Sequence, residues 1–113
     1  MEFSELTALG TINGKPILSH DEGKAVCKFT LRVDAPGKIG FRTHEIACKI
    51  IGGNAAACWS SIQEGDELTV VGIPYAEGYL DDDGKPRGRQ CMRCNFVRYS
   101  QPVLDRIDQN RLT

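Results

Sequence analysis

Hydrophobic and polar residues alternate along several segments of the chain, which is the pattern of strands that bury one face and expose the other. The clearest alternation runs from Cys27 to Val33. Its inward positions are Cys27, Phe29, Leu31 and Val33. Its outward positions are Lys28, Thr30 and Arg32. The segment is therefore predicted to be a half-exposed strand.

Similar alternation predicts strands on both sides of this segment. A first strand is expected from Leu6 to Ile12. The following pair, Asn13-Gly14, is expected to form a turn. Residues 16–18 continue it briefly into a polar loop at 19–23. A third strand is expected over residues 43–51, after a turn-rich segment. Its buried face comprises Ile46, Cys48 and Ile50, and its other face comprises Glu45, Ala47, Lys49 and Ile51.

One short helix follows the third strand. Asn54 can serve as its N-cap, and residues 55–62 are rich in alanine, with apolar residues at helical spacing. The segment is long enough for about two to three turns. Trp59 lies among these alanines and is interpreted as an anchor in the core or at an interface, rather than as a ring for stacking.

The second half of the chain predicts two more strands joined by a polar hairpin. Residues 68–73 form the fourth strand, with Leu68 and Val70 inward. The hairpin tip at residues 81–86 contains an Asp-Gly pair, which is typical of a tight turn. A fifth strand is expected from Arg89 to Tyr99, and the remaining residues form a short helix or a frayed tail.

This order of elements defines the predicted fold. Three strands, one short helix and two strands match the all-β, five-stranded OB-fold Greek-key barrel, in which a helix lies between strands 3 and 4. The sequence shows no internal repeat and no linker. Residues 1–100 are therefore expected to form one OB-fold domain for single-stranded nucleic acid, and residues 101–113 a C-terminal extension.

Composition restricts the class of protein further. The 113 residues are 41% hydrophobic, which suffices for one compact core. No apolar run approaches the roughly 18 residues of a membrane span, and a cytoplasmic protein is expected.

Five cysteines in apolar segments indicate buried, reduced thiols. The net charge is −1, so any site for a polyanion must come from local clustering of basic residues.

Enzymatic and metal-dependent functions have little support in the sequence. Neither His20 nor His44 is accompanied by a nucleophile and an orienting carboxylate, so no catalytic residues and no cofactor are predicted. Cys91 and Cys94 have a zinc-like spacing, but residues three apart on a strand point to opposite faces. Residues 81–84 resemble part of a calcium loop yet lack its downstream glutamate. No metal site is predicted.

Two stretches together resemble the bacterial single-stranded-DNA-binding protein (SSB) family. Residues 23–33, a glycine-led alternation centred on Phe29, are similar to that family's second strand. Residues 44–72 are similar to its third strand, helix, glycine turn and fourth strand, and end in Gly-Asp-Glu-Leu-Thr-Val-Val-Gly. With the hairpin, the similarity covers roughly residues 5–98. The primosomal protein B group and plasmid or phage paralogues share this fold and remain alternatives.

The resemblance implies a homo-oligomer, a dimer or a tetramer, that binds single-stranded DNA without strong sequence preference in replication, recombination or repair. RNA is a second possible ligand, and replication or recombination proteins are possible partners. By position, the contacts come from strands 2 and 3 and from the hairpin between strands 4 and 5. The candidate residues are Lys28, Thr30, Arg32, Phe41, Arg42, Lys49, Tyr75, Tyr79, Arg87, Arg89 and Arg93.

These residue types suit an unpaired strand, because cations follow the phosphates and flat rings stack on the bases. The two tyrosines could also pack against the partner strand of the hairpin or against a neighbouring subunit. Glu45 and Ile51 stand where family members often have aromatic residues, and the chain shows no acidic tail ending in phenylalanine. A protein-interaction OB module with weak or no nucleic-acid binding is therefore the alternative function.

Overall fold

A computed structural model describes residues 5–36 and 40–112. These residues form five strands and two helices. In chain order the elements are β1 (Leu6–Asp21), β2 (Lys24–Pro36), β3 (Phe41–Ile51), α1 (Ala55–Ser61), β4 (Glu67–Leu80), β5 (Pro86–Tyr99) and α2 (Gln101–Leu112). The expected mostly-β architecture with a five-stranded sheet is confirmed, and it is consistent with an OB fold.

The sheet closes on itself as a barrel with the strand order β1-β2-β3-β5-β4, and β4 pairs with β1. The strands are antiparallel neighbours except for β3 and β5, which run parallel. The inward positions of all five strands fill the core. Cys27, Leu31, Leu68, Val70 and Met92 are completely shielded from solvent, each with a relative exposure of 0%. The expected state of the five cysteines is confirmed, since all are free and buried.

Strand β1 differs from its prediction. It is one strand of 16 residues rather than a strand, a turn and a short continuation. Its pairing with β2 shifts register between Asn13 and Ile17, and Gly14 has a φ of 86°. Such a bulge bends a strand and increases its twist, which a closed barrel requires. The Asn-Gly pair therefore marks a bulge within β1 and not its end.

Helix α1 packs against β1 and β2 through Ala55 and Cys58. Asn54 occupies the N-cap position, but its side chain makes no capping hydrogen bond. Of the two placements expected for Trp59, the core is wrong, because 42% of its surface is exposed, and an interface stays a prediction. The adjacent Cys58 occupies the inward position, and one turn of helix cannot turn both side chains toward the barrel.

Strands β4 and β5 extend well beyond the predicted bounds, and together they form a long hairpin. Residues 75–80 and 86–90 are exposed on both faces, so they show no alternation by which a strand could be recognised. The Asp81 carboxylate accepts hydrogen bonds from the backbone amides of Asp83 and Lys85 and closes the tip. The pairing of β4 with β5 shifts register between Val71 and Gly72. A Cβ atom on residue 72 would collide with the Arg93 carbonyl oxygen, so glycine is required there.

Helix α2 packs back onto the barrel. Val103 has a relative exposure of 1%. The Arg106 guanidinium donates to both carboxylate oxygens of Asp66, at 2.6 and 3.1 Å, and to the Ser61 carbonyl oxygen at 2.7 Å. This ion pair raises the pKa of Arg106 through the hydrogen bonds to Asp66. Across residues 5–36 and 40–112, neither helix has the length and apolar character needed to cross a membrane.

Candidate nucleic-acid interface

A row of three cationic residues crosses the outer face of the barrel. The register places Lys28 of β2 opposite Lys49 of β3, and Lys49 opposite Arg93 of β5. Like charges directly opposite one another on a sheet destabilise it. The row therefore works against the stability of the barrel, and it gives the outer face a high local density of positive charge.

The neighbouring register row forms the floor of an open cleft. It runs from Thr30 through Ala47 and Cys91 to Tyr75, across four strands. The cleft has a volume of about 510 Å³. Its lining residues are Asn13, Gly14, Lys15, Ile17, Lys28, Phe29, Thr30, Ala47, Cys48, Lys49, Tyr75, Glu77, Arg89 and Cys91. Among them four side chains are basic and one is acidic, in a chain whose net charge is −1.

Two aromatic rings stand beside cations at this face. The Lys49 ammonium nitrogen lies 5.3 Å from the centre of the Tyr75 ring, and the Arg89 guanidinium carbon lies 4.7 Å from the centre of the Tyr79 ring. Both distances fall within the range of cation–π attraction. Tyr75 and Tyr79 remain 37% and 43% exposed. Each ring thus keeps surface available for stacking.

Cys91 is a buried thiol on the outer face of the barrel. Its exposure is 1%, and its Sγ lies 3.7 Å from Oε2 of Glu77. Burial raises the pKa of the Cys91 thiol, and the neighbouring Glu77 carboxylate raises it further. Cys94 lies instead in the barrel core. The zinc-like spacing therefore places its two thiols on opposite faces, and the described residues contain no group of side chains suited to hold a metal ion.

Arg32 lies on the same face as Lys28 and Thr30 and is held by a polar network. Its Nη2 donates to Oδ1 of Asn13 at 2.8 Å, and Nδ2 of Asn13 donates to Oε1 of Glu45 at 2.9 Å. Asn13 lines the cleft. The network orients Arg32 beside the cleft and also brings the Glu45 carboxylate near it.

The structure brings some of the sequence-predicted residues together and leaves others apart. Lys28, Thr30, Lys49, Tyr75 and Arg89 line the cleft. Arg93 continues the cationic row, Arg32 extends the same face, and Tyr79 contacts Arg89 along the hairpin.

Two further predicted residues, Arg87 and Arg42, do not line the cleft. Arg87 lies opposite Tyr79 in the hairpin and forms an ion pair with Asp81 at 2.9 Å, so its charge is balanced at the hairpin tip. The pKa of Asp81 is lowered by the hydrogen bond from the Lys85 amide and, secondly, by Arg87. Arg42 is exposed beside Ala35, near the end of the β2–β3 pair. The side chain of Phe41 lies outside the described part of the structure.

Several lining residues were not predicted from the sequence. Asn13, Gly14 and Lys15 belong to the β1 bulge, at a position where the Asn-Gly pair had predicted a turn. Glu77 lies on the exposed part of the hairpin, where no alternation marks a face. A glycine-containing interruption inside an otherwise alternating strand is a known sign of a bulge, and it was the available signal for Lys15.

The barrel has a counterpart among solved structures. The chain is similar to the crystal structure of a small single-stranded DNA-binding protein from Streptomyces coelicolor, with a TM-score of 0.79. The alignment covers 90% of this chain and 98% of that one, at 16% sequence identity. This protein has an SSB-like OB fold. No protein-family model and no curated protein sequence matches the SSB-like chain.

At this level of identity the similarity establishes the fold alone. The role of the SSB-like barrel therefore depends on the side chains that it carries itself. Those side chains are the cationic row, the cleft beside it, and the two exposed tyrosines.

Proposed function

We propose that this SSB-like protein binds single-stranded DNA along the outer face of β2, β3 and β5 and the β4–β5 hairpin. The observation that carries the proposal is the row formed by Lys28, Lys49 and Arg93. Three cations in successive register positions repel one another, and a polyphosphate backbone removes that repulsion by neutralising them. The Streptomyces protein of similar fold is a single-stranded DNA-binding protein, which supports the same ligand here.

The two tyrosines explain why the ligand is unpaired. Base stacking requires a base whose face is accessible, which a duplex does not offer, and a ring that is not covered by protein. Tyr75 and Tyr79 are each more than one third exposed and lie next to a cation. A base on the ring and its phosphate on the adjacent cation is the arrangement of a binder with little sequence preference.

A salt titration tests this proposal. Fluorescence anisotropy of a labelled oligothymidine, measured over a range of salt concentrations, gives the dependence of log affinity on log salt. With three to four phosphates neutralised, the slope for a single strand is expected to be about −2 to −3. A duplex of equal length competes poorly. A slope near zero, or equal competition by duplex, contradicts the proposal.

The proposal includes self-association, which the resemblance implies. On the outer face of β1, β4 and β5, away from the cleft, Leu9 and Phe96 are 56% and 55% exposed. Val71 lies opposite Phe96 in one register row, so these two apolar residues adjoin there. Two copies joined at this face would raise affinity for a long strand by avidity. Sedimentation of the wild type and of Phe96→Glu tests it: a monomeric wild type contradicts self-association.

A role in replication, recombination or repair is part of this proposal. Each of these processes exposes unpaired strands, and a sequence-independent binder can hold them. Binding to mixed-sequence oligonucleotides with affinities close to that for oligothymidine is the expected signature.

A further inference from the structure

Trp59 is the only tryptophan of the chain, and it sits outside the core beside the proposed binding face. Its indole Nε1 donates to the Pro16 carbonyl oxygen at 3.3 Å. This bond ties helix α1 to the bulge of β1 and holds the ring in one orientation. With 42% of its surface exposed, the ring is fixed by its edge and open to solvent.

The ring belongs to a second depression of about 290 Å³. Its lining residues are Lys15, Pro16, Trp59, Ile62, Gln63 and Glu64. Lys15 also lines the main cleft, so both cavities share one exposed lysine. Pro16, whose carbonyl oxygen accepts the hydrogen bond from Trp59, directly follows Lys15 in the chain. Consecutive Cα atoms are about 3.8 Å apart. The two depressions are therefore adjacent across the β1 bulge.

We propose that the single strand held in the cleft continues over Lys15 and stacks one further base on Trp59. This inference rests on the proposed function and extends its path beyond the tyrosines. Lys15, between the two depressions, takes the linking phosphate. The Glu64 carboxylate makes the second depression unfavourable for a phosphate, so a base enters it and the phosphate stays at Lys15.

The chain provides its own reporter for this subsite. Because Trp59 is the only tryptophan, all indole fluorescence reports on this position. Oligothymidines of about 4 and about 16 nucleotides span the range of site sizes of OB folds. Anisotropy of an end label measures binding independently of the indole signal. The long oligonucleotide is expected to quench Trp59, whereas the short one binds in the cleft with little quenching.

Variants add a second measurement. Trp59→Ala is expected to weaken binding of the long oligonucleotide at least about fivefold, the lower limit of one lost stacking contact, and to leave the short one unchanged. Lys15→Gln is expected to weaken the long oligonucleotide and to reduce quenching. Lys24→Gln is the matched control, since Lys24 is exposed at the start of β2 and lines neither depression.

The outcomes separate this inference from the proposed function. Binding of the long oligonucleotide without any quenching of Trp59 overturns the inference and leaves the proposed function intact. Absence of binding at low salt overturns both. The quenching experiment uses the wild-type protein, so it decides the question even where a Trp59 variant folds poorly.

Discussion

The ammonium group of Lys49 lies 5.3 Å from the centre of the Tyr75 ring. The two residues belong to β3 and β4, which are separated in the barrel by β5. On the intervening β5, Cys91 lies opposite Tyr75 and Arg93 lies opposite Lys49. The contact holds a cation and a ring side by side before any ligand arrives, which reduces the conformational entropy lost on binding.

Lys28→Gln is predicted to have opposite effects on binding and stability. Removing one of three facing cations relieves repulsion, and the free energy of unfolding is expected to rise by about 0.2 to 1 kcal/mol. One phosphate contact is lost, so the salt slope becomes shallower by about 0.7. Urea unfolding and anisotropy measure the two effects. Lys24→Gln should change neither, and a Lys28→Gln protein of lower stability would argue against repulsion within the row.

Tyr75→Ala and Tyr79→Ala are each predicted to weaken binding of oligothymidine by about 1 to 3 kcal/mol, the usual cost of losing one stacked base. The fold should be unaffected, since both rings are exposed. Tyr79→Phe keeps the stacking surface and the contact with Arg89, and it serves as the control. Unchanged affinity of Tyr79→Ala in a fluorescence titration would remove the hairpin from the binding site.

Arg106→Ala is predicted to loosen helix α2. The guanidinium bonds both oxygens of Asp66, whose side chain is 10% exposed, and the substitution leaves that carboxylate poorly solvated. Hydrogen bonds to charged groups suggest a loss of about 1.5 to 3 kcal/mol in the free energy of unfolding. Denaturant unfolding measures it, with Arg111→Ala near the end of α2 as the control. Equal midpoints for the two variants would show that the ion pair contributes nothing.

Alkaline pH is predicted to destabilise the barrel. Burial raises the pKa of Tyr99 to about 12, and the hydrogen bond with Cys94, together with burial, raises the pKa of Cys48. Each group therefore holds its proton more tightly when folded than when unfolded. The resulting stabilisation is complete below the unfolded pKa and is lost as pH rises through the folded value.

For Tyr99 the unfolded pKa is about 10, so its part of the loss should fall between about pH 10 and pH 12. Thermal melting followed by circular dichroism over this range measures it. Tyr99→Phe lacks the titrating hydroxyl and should show a shallower decline. An identical pH profile for the variant and the wild type would exclude Tyr99 as a source.

Much of the fold follows from local pattern. The alternation from Cys27 to Val33 places Phe29 in the core and Lys28 outside, because successive residues of a strand point to opposite faces whatever surrounds them. The alternation failed to define the ends of β4 and β5, whose outer parts are exposed on both faces. It also failed at Asn13-Gly14, because the same residue pair suits a turn and a bulge.

Sequence alone determined that Lys28, Thr30 and Arg32 share one face and that Lys49 lies outside the core. Only the tertiary structure decided that Lys28, Lys49 and Arg93 form one row, and that Lys15 and Trp59 meet at the edge of the cleft. The reason is physical: a strand's inward and outward positions depend on its own backbone. The register between strands, and the choice of neighbouring strands, depend on how the whole sheet closes into a barrel. Many residues that are far apart along the chain determine this jointly.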